Sequence, residues 1–261
     1  MYKRQVTNGT EAQIEGDQTV QSTYGFQIDL NTSFTGEDSL DISLDAGNGA
    51  TTGPLAEFDL NGAYTNADLL HVDGVSYTFP ATDNITAIVG DNTDGSALFT
   101  TACAYGGPSN TLDDCGNVNA GITNGGAMVG ASYDFGNGIT AAVGYAGNEA
   151  SIMTNEGVDA YGANVAYSAD NYGLSLTYGV LETGTDEDTF TAINAYYTPE
   201  GFPSISVGYE IGEDGSKTTL DELESFFVGL TFEEVGPGSA GIAMGTKTPT
   251  VEGTDEQYMY E

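Results

Sequence analysis

Apolar and polar residues alternate with a period of two through most of the chain. Ala127, Val129, Ala131, Tyr133 and Phe135 are interleaved with Gly130, Ser132 and Asp134. After Gly136-Asn137-Gly138 the pattern resumes, with Ile139, Ala141, Val143 and Tyr145 separated by Thr140, Ala142 and Gly144. Successive side chains of an extended chain leave opposite faces of the pleat, so this period predicts β-strands. It recurs at 24–30, 40–46, 161–167, 172–180, 205–211, 226–232 and 240–246. Less regular strands are expected at 56–60, 75–79, 84–90 and 189–198. In the last, the phase is open between Phe190/Ala192/Tyr196 and Ile193/Ala195/Tyr197. The alternation slips between residues 60 and 84, and a helical period shows only weakly at 220–223.

The second face of these strands decides the fold class. It carries Gly, Ala, Ser, Thr, Asn and Asp, with Met128 and Phe227 as bulky exceptions, and the apolar face carries no charge. A soluble β-sandwich would coat its outer face with large polar residues and would have two open edges to protect. A transmembrane barrel instead turns its apolar face to lipid and its small or polar face to water. There a Lys or Arg on the lipid face costs about 2–4 kcal/mol at mid-membrane, which accounts for the charge-free side. Tyr24, Phe135, Tyr145, Tyr167, Tyr172 and Phe232, at segment ends, suit the interfacial girdles. Short Gly/Pro/Asn/Asp connections (136–138, 169–171, 199–202, 234–238) alternate with long ones (146–157, 182–188, 212–222, 247–256). The expected fold is therefore an all-β, transmembrane, antiparallel up-and-down β-barrel. The alternative is a soluble, acidic, secreted β-sandwich or β-solenoid serving as a surface or adhesion module. The longest connection, 91–124, is the candidate for folding inward.

Charge narrows the partners. The 261 residues hold 4 Lys+Arg against 39 Asp+Glu, a formal net charge of −35. Such a surface excludes nucleic acid, which requires basic patches. It also disfavours direct contact with anionic lipid, and it suits a cation-attracting cavity. Asp29, Asp41, Asp45, Asp134 and Glu210 fall on the polar phase and are the candidate pore-lining residues. Cys103 and Cys115, the two cysteines, read as a disulfide, with two free thiols as the alternative. A bond there would add about 3 kcal/mol in the chain-entropy model and would imply an oxidising compartment. No stretch approaches the ~20 apolar residues of a membrane helix, and the basic head lacks an apolar signal core.

The run from Gly126 to Asn148, GAMVGASYDFGNGITAAVGYAGN, resembles paired central strands of cyanobacterial outer-membrane porins, relatives of the carbohydrate-selective porin family. Tyr24 to Asn48, with LNTSFTGED at 30–38, is similar to their first hairpin, and Ser76 to Gly90 resembles another. The similarity spans most of 20–261, in strand-and-turn motifs of moderate specificity. It implies a sixteen-stranded homotrimeric barrel in the cell outer membrane that contacts lipid and conducts ions and small hydrophilic solutes, with an upstream cell-wall-binding region that nothing here matches. Of those strands, about 12–14 are expected here, with 1–19 a non-native or poorly ordered head and 20–261 an incomplete barrel domain. The relatives carry more Arg and Lys along their strands, where this chain has Asp, Ser or Gly; that departure points away from anions and toward cations.

Enzymatic motifs fail on inspection. Gly236-Pro237-Gly238-Ser239-Ala240-Gly241 spells a dinucleotide fingerprint, yet an alternating strand follows where a helix is required. His71 is the only histidine, too few for a His-rich zinc site, and no Ser-hydrolase elbow is present. Asp91-Asn92-Thr93-Asp94-Gly95 misses the calcium-loop spacing, leaving at most a weak Ca²⁺ or Mg²⁺ site at acidic loops and no cofactor. With 39 carboxylates, chance pairs are unavoidable, so no acid/base pair is assigned. The sequons at Asn8, Asn31 and Asn84 follow from an Asn- and Thr-rich composition.

Overall fold

The computed structural model describes residues 2–5, 23–47, 69–107, 112–122, 126–154, 157–182, 184, 186–215, 222–246, 250–251 and 258–261. Among them are fifteen strands: β1 Tyr2–Gln5, β2 Thr23–Thr32, β3 Ser39–Gly47, β4 His71–Thr82, β5 Ile85–Asp91, β6 Ala127–Gly136, β7 Ile139–Gly147, β8 Asp159–Ser168, β9 Tyr172–Glu182, β10 Glu187–Tyr197, β11 Ser204–Glu213, β12 Glu222–Val235, β13 Gly238–Gly245, β14 Thr250–Val251 and β15 Met259–Tyr260. They form one antiparallel sheet in chain order from β1 to β13, with β15 beyond β13 and β14 beside β12. The predicted up-and-down topology is present, and no pairing among the described residues closes β1 onto β15. Residues 2–5 of the head pair with β2, Lys3 opposite Gly25 and Arg4 opposite Tyr24. The strand expected at 56–60 lies outside the described residues.

Two irregularities account for the slip in the alternation. Ser43 faces Gly74 and Leu44 faces Val72, so Asp73 is an extra residue on β4. A bulge of this kind shifts the side-chain phase by one. The outward set accordingly passes from Val72 to Val75, Tyr77 and Phe79. A second shift falls between Pro80 and Thr82. Elsewhere the turn chemistry is plain: between β6 and β7, Asn137 and Gly138 both take positive φ (56° and 82°), as the tightest hairpins require.

The apolar face is the exposed one. On β9, Leu174 and Leu176 are 53% and 49% exposed, whereas the intervening Ser175 and Thr177 are 1% and 0% exposed. A sandwich would reverse this order, because its apolar face is its core. Aromatics edge the apolar band at both ends. Tyr133–Phe135, Tyr77–Phe79 and Tyr167–Tyr172 pair at 4.6, 5.4 and 5.7 Å on the side of the short turns. Tyr161, Tyr178 and Tyr209 stand toward the long connections. From Tyr172 to Tyr178 the strand runs about 20 Å at ~3.3 Å per residue. For β10 the open phase resolves as Phe190, Ala192, Asn194 and Tyr196 inward and Ile193, Ala195 and Tyr197 outward, with Asn194 buried and Ile193 exposed.

The β2–β3 connection is closed by Asp38, which accepts hydrogen bonds from the Ser33 and Thr35 hydroxyls (2.6 and 2.7 Å), the Phe34 and Thr35 amides, and Tyr77 Oη at 2.7 Å. The Ser33, Thr35 and Tyr77 hydroxyls hold its carboxyl well below the usual carboxylate range. A lowered native pKa stabilises fully above the unfolded value and fades only as pH falls toward the native one. Urea unfolding of Asp38→Asn should show its full deficit above about pH 5, shrinking as pH drops below the ordinary Asp value of about 3.9. On the lipid face, Leu176→Lys should lower unfolding free energy from phospholipid vesicles by about 2–4 kcal/mol. The inward Ser43→Lys should cost less than about 1 kcal/mol, because its charge stays in water.

Candidate functional site

Burial of the polar face has one cause: the connection after β5 runs back across it. At its base the Asn92 amide donates to Gly126 O at 2.9 Å. From Thr100 to Gly106 every second amide points at the sheet. The Thr100 amide donates to Asn164 Oδ1 on β8, Ala102 to Ser175 Oγ on β9 and Ala104 to Ser206 Oγ on β11, each at 2.9 Å. Gly106 donates to Thr231 Oγ1 on β12 at 3.3 Å. Asn164 Nδ2 and Thr231 Oγ1 donate back to the Thr100 and Ala104 carbonyls at 3.1 and 3.2 Å. The dimensions match: six residues at ~3.3 Å span about 20 Å, and four strand spacings at ~4.8 Å span about 19 Å. This outbound arm therefore lies across the strands with its donors in step with them.

A disulfide joins Cys103 to Cys115, with Cα atoms 6.4 Å apart, and the return arm begins there. Cys115 and Gly116 take positive φ (53° and 78°) and turn the chain back along the wall. Asn194 Nδ2 donates to Cys115 O at 2.8 Å. Under the same carbonyl lies Gly208, where an added Cβ would overlap the oxygen. Further on, Glu210 accepts from the Asn119 amide at 2.9 Å, Asn119 Nδ2 at 3.0 Å and the Ala120 amide at 2.8 Å. The Ile122 amide closes the path on Ser96 Oγ at 3.0 Å.

Three apolar clusters seal the loop to the wall. Ile122 packs with Ile88, Met128, Ala146 and Ala160. Leu112 and Cys115 pack with Phe227 and Ala243, where Tyr105 meets the Phe227 ring at 5.2 Å. Ala120 packs with Phe190 and Ala192. The bulky exceptions on the small face, Met128 and Phe227, are thus the points where the loop seats. Tyr105 also donates to Glu261 Oε2 at 3.0 Å, and its burial followed by that carboxylate pushes its phenol well above the usual range.

The candidate acidic residues separate into three settings. Asp29, Asp41 and Asp45 share the inward face of β2–β3. There Asp29 stands opposite Ser43, Asp41 opposite Asn31, and Asp45 opposite Gln27. Asp29 accepts from Gln27 Nε2 at 2.6 Å and Ser43 Oγ at 2.9 Å, and Asp41 from Ser39 Oγ at 2.6 Å. Asp134 lies at the far end, where it accepts the Gly136 amide at 2.8 Å and caps the β6–β7 turn. Glu210 faces inward but is only 1% exposed beneath the return arm, so it acts as an anchor of the loop. The sequence reading placed it on the polar phase and missed this partnership. The comb of Asn164, Ser175, Ser206 and Thr231 was missed as well, although all four sit on the polar phase. Among the described residues no group of three or more His, Cys, Asp or Glu side chains is placed to hold a metal ion.

The seating predicts the effect of a single methyl group. Gly208→Ala should drive the Cys115 carbonyl off the wall, at an overpacking cost of about 1–3 kcal/mol. Limited proteolysis of the folded protein should then cut within 112–122, which stays uncut in the parent chain.

No protein-family model matches the chain, and neither does any curated protein sequence. Solved structures do. Two engineered mutants of a porin from Rh. blastica superpose with TM-scores of 0.57 and 0.58, each at 13% identity over 91% of this chain and 78% of theirs. A triple mutant of the Rhodopseudomonas blastica porin gives 0.56 at 12% identity, over 92% of this chain and 78% of its own. At that identity the likeness is one of fold, and the chain has the all-β, up-and-down architecture of a porin barrel, with its sheet open among the described residues.

Proposed function

We propose that this chain is an outer-membrane porin that lets ions and small hydrophilic solutes diffuse passively through a water-filled lumen, with a preference for cations. The observation that carries the reading is the arrangement of the two faces. An exposed apolar band with aromatic edges suits lipid. An inward polar face, narrowed by a loop fixed at many points, suits an aqueous passage whose width and lining charge select solutes. The fold shared with a porin supports the same conclusion.

Cation preference rests on charge. The basic residues are Lys3, Arg4, Lys217 and Lys247, so no strand from β2 to β15 carries one. Asp29, Asp41 and Asp45 stand on the inward face of β2–β3, where Asp29 is exposed. A lumen lined by one sign of charge concentrates the opposite ion. Kinship with the carbohydrate-selective porins of cyanobacteria, assembly as a homotrimer, and a weak Ca²⁺ or Mg²⁺ site at acidic loops belong to the same proposal, and the hairpin motifs support the first of these.

Planar bilayer recordings under a KCl gradient test it. Stepwise conductance with a cation-selective reversal potential is expected, and Asp29→Asn/Asp41→Asn/Asp45→Asn should move that potential toward zero. An anion-selective potential would overturn the acidic-lumen argument, and a protein that stays in solution without detergent would overturn the membrane reading.

A further inference from the structure

The two arms of the loop are held by different chemistry. The outbound arm hangs on neutral partners on four strands, Asn164, Ser175, Ser206 and Thr231. On the return arm, two successive backbone amides and one side-chain amide converge on a single carboxylate, Glu210. That carboxylate is covered, and with no Lys or Arg on β2–β15 its charge is met, among the described residues, by N–H dipoles. Ionised, a carboxylate only accepts, which suits three donors. Protonated, one oxygen carries a hydrogen of its own and meets amides that are donors as well. A covered amide without a partner is costly, so the protonated form and the seated arm are in conflict.

We propose that Glu210 is a proton-operated latch on the return arm, engaged while ionised and released on protonation, and that it thereby regulates the aperture; this rests on the channel reading above. Few other charges bear on it. From β10 it is flanked by Ala192 and Asn194 and from β12 by Ser225 and Phe227, none of them titratable. From the loop, Asp114 is the ionisable group that acts on it, and the two carboxylates repel each other. The Cys103–Cys115 disulfide ties the return arm to the outbound arm, whose backbone amides rest on neutral acceptors and whose bond to a carboxylate is made by the Tyr105 side chain to Glu261. Release is therefore a local lift of 116–122, with the rest of the loop staying on the wall.

Hydrogen exchange read by mass spectrometry, on the whole protein folded in detergent micelles and corrected for intrinsic exchange, tests the latch. Between pH 7 and pH 4, protection across 116–122 should fall at least tenfold while 100–106 keeps its own. Glu210→Gln should show the low-pH pattern already at pH 7 and change no further at pH 4. Asn119→Ala removes one donor from the loop side and leaves β11 untouched, so a severalfold loss at pH 7 is expected even if the Glu210 variant does not fold. Protection unchanged at pH 4, or lost equally from both arms, would overturn the latch. In bilayers, a second conductance level should appear at pH 4 and, in Glu210→Gln, at pH 7. Identical levels in both proteins at both pH values would sever the latch from the aperture. No conductance at all, with the exchange step retained, would remove the channel reading and leave the latch on the loop standing.

Discussion

In the proposed channel a strand one residue thick has lipid on one side and water on the other and can satisfy both only by alternation, and the rest of the molecule follows from that constraint. Every lipid-facing side chain must be apolar, and every backbone donor must be paired within the sheet, because hydrocarbon offers no partner. Leu174 and Leu176 meet the first demand while Ser175 and Thr177 between them face inward. A wall built this way has only half its side chains available for anything else. Those inward positions must both leave space for a passage and hold whatever narrows it.

The loop meets that demand through its own period of two. An extended segment laid across the strands sends alternate amides toward the wall, and the wall supplies short acceptors from Asn164, Ser175, Ser206 and Thr231. Long charged side chains there would hold the segment away; hydroxyls and carboxamides let backbone approach within hydrogen-bond distance. The small inward face, which on its own reads only as polar, is therefore fitted to a second layer of backbone. Where the approach is closest, under the Cys115 carbonyl, even Ser is too large and Gly208 takes its place.

Much of this was legible in the sequence because the constraint is local. Strand positions, the exposed apolar side and the alternation of short with long connections all come from neighbouring residues. The inward fold seen for 100–106 and 112–122 was legible as a candidate from the length of the connection 91–124. Two kinds of feature were not. A bulge such as Asp73 changes the phase without changing composition, so 60–84 reads as noise until the partner strand is known. Long-range partners leave no periodic trace: Glu210 and Ala120 are 90 residues apart, and nothing near either names the other. The one available sign was negative. Met128, Phe190 and Phe227 are too large for a water-lined face, and each packs in an apolar cluster beneath the loop.

The scarcity of basic residues gives the wall its character. In a barrel with both signs of charge, loop carboxylates can be matched by basic side chains across the lumen. Here Asp29 and Asp41 accept from hydroxyl and carboxamide groups, and Glu210 accepts from amides. Dipoles hold a carboxylate in place without cancelling its charge, so the inward face keeps a negative field wherever the carboxylates remain ionised. Hydrogen bonding by dipoles also makes each such contact depend on protonation state, which a neutral Ser–amide bond does not. In the proposed channel one economy of composition thus has two consequences: it sets the sign of the field in the passage, and it makes the return arm's latch, rather than the outbound arm's backbone contacts, depend on protonation.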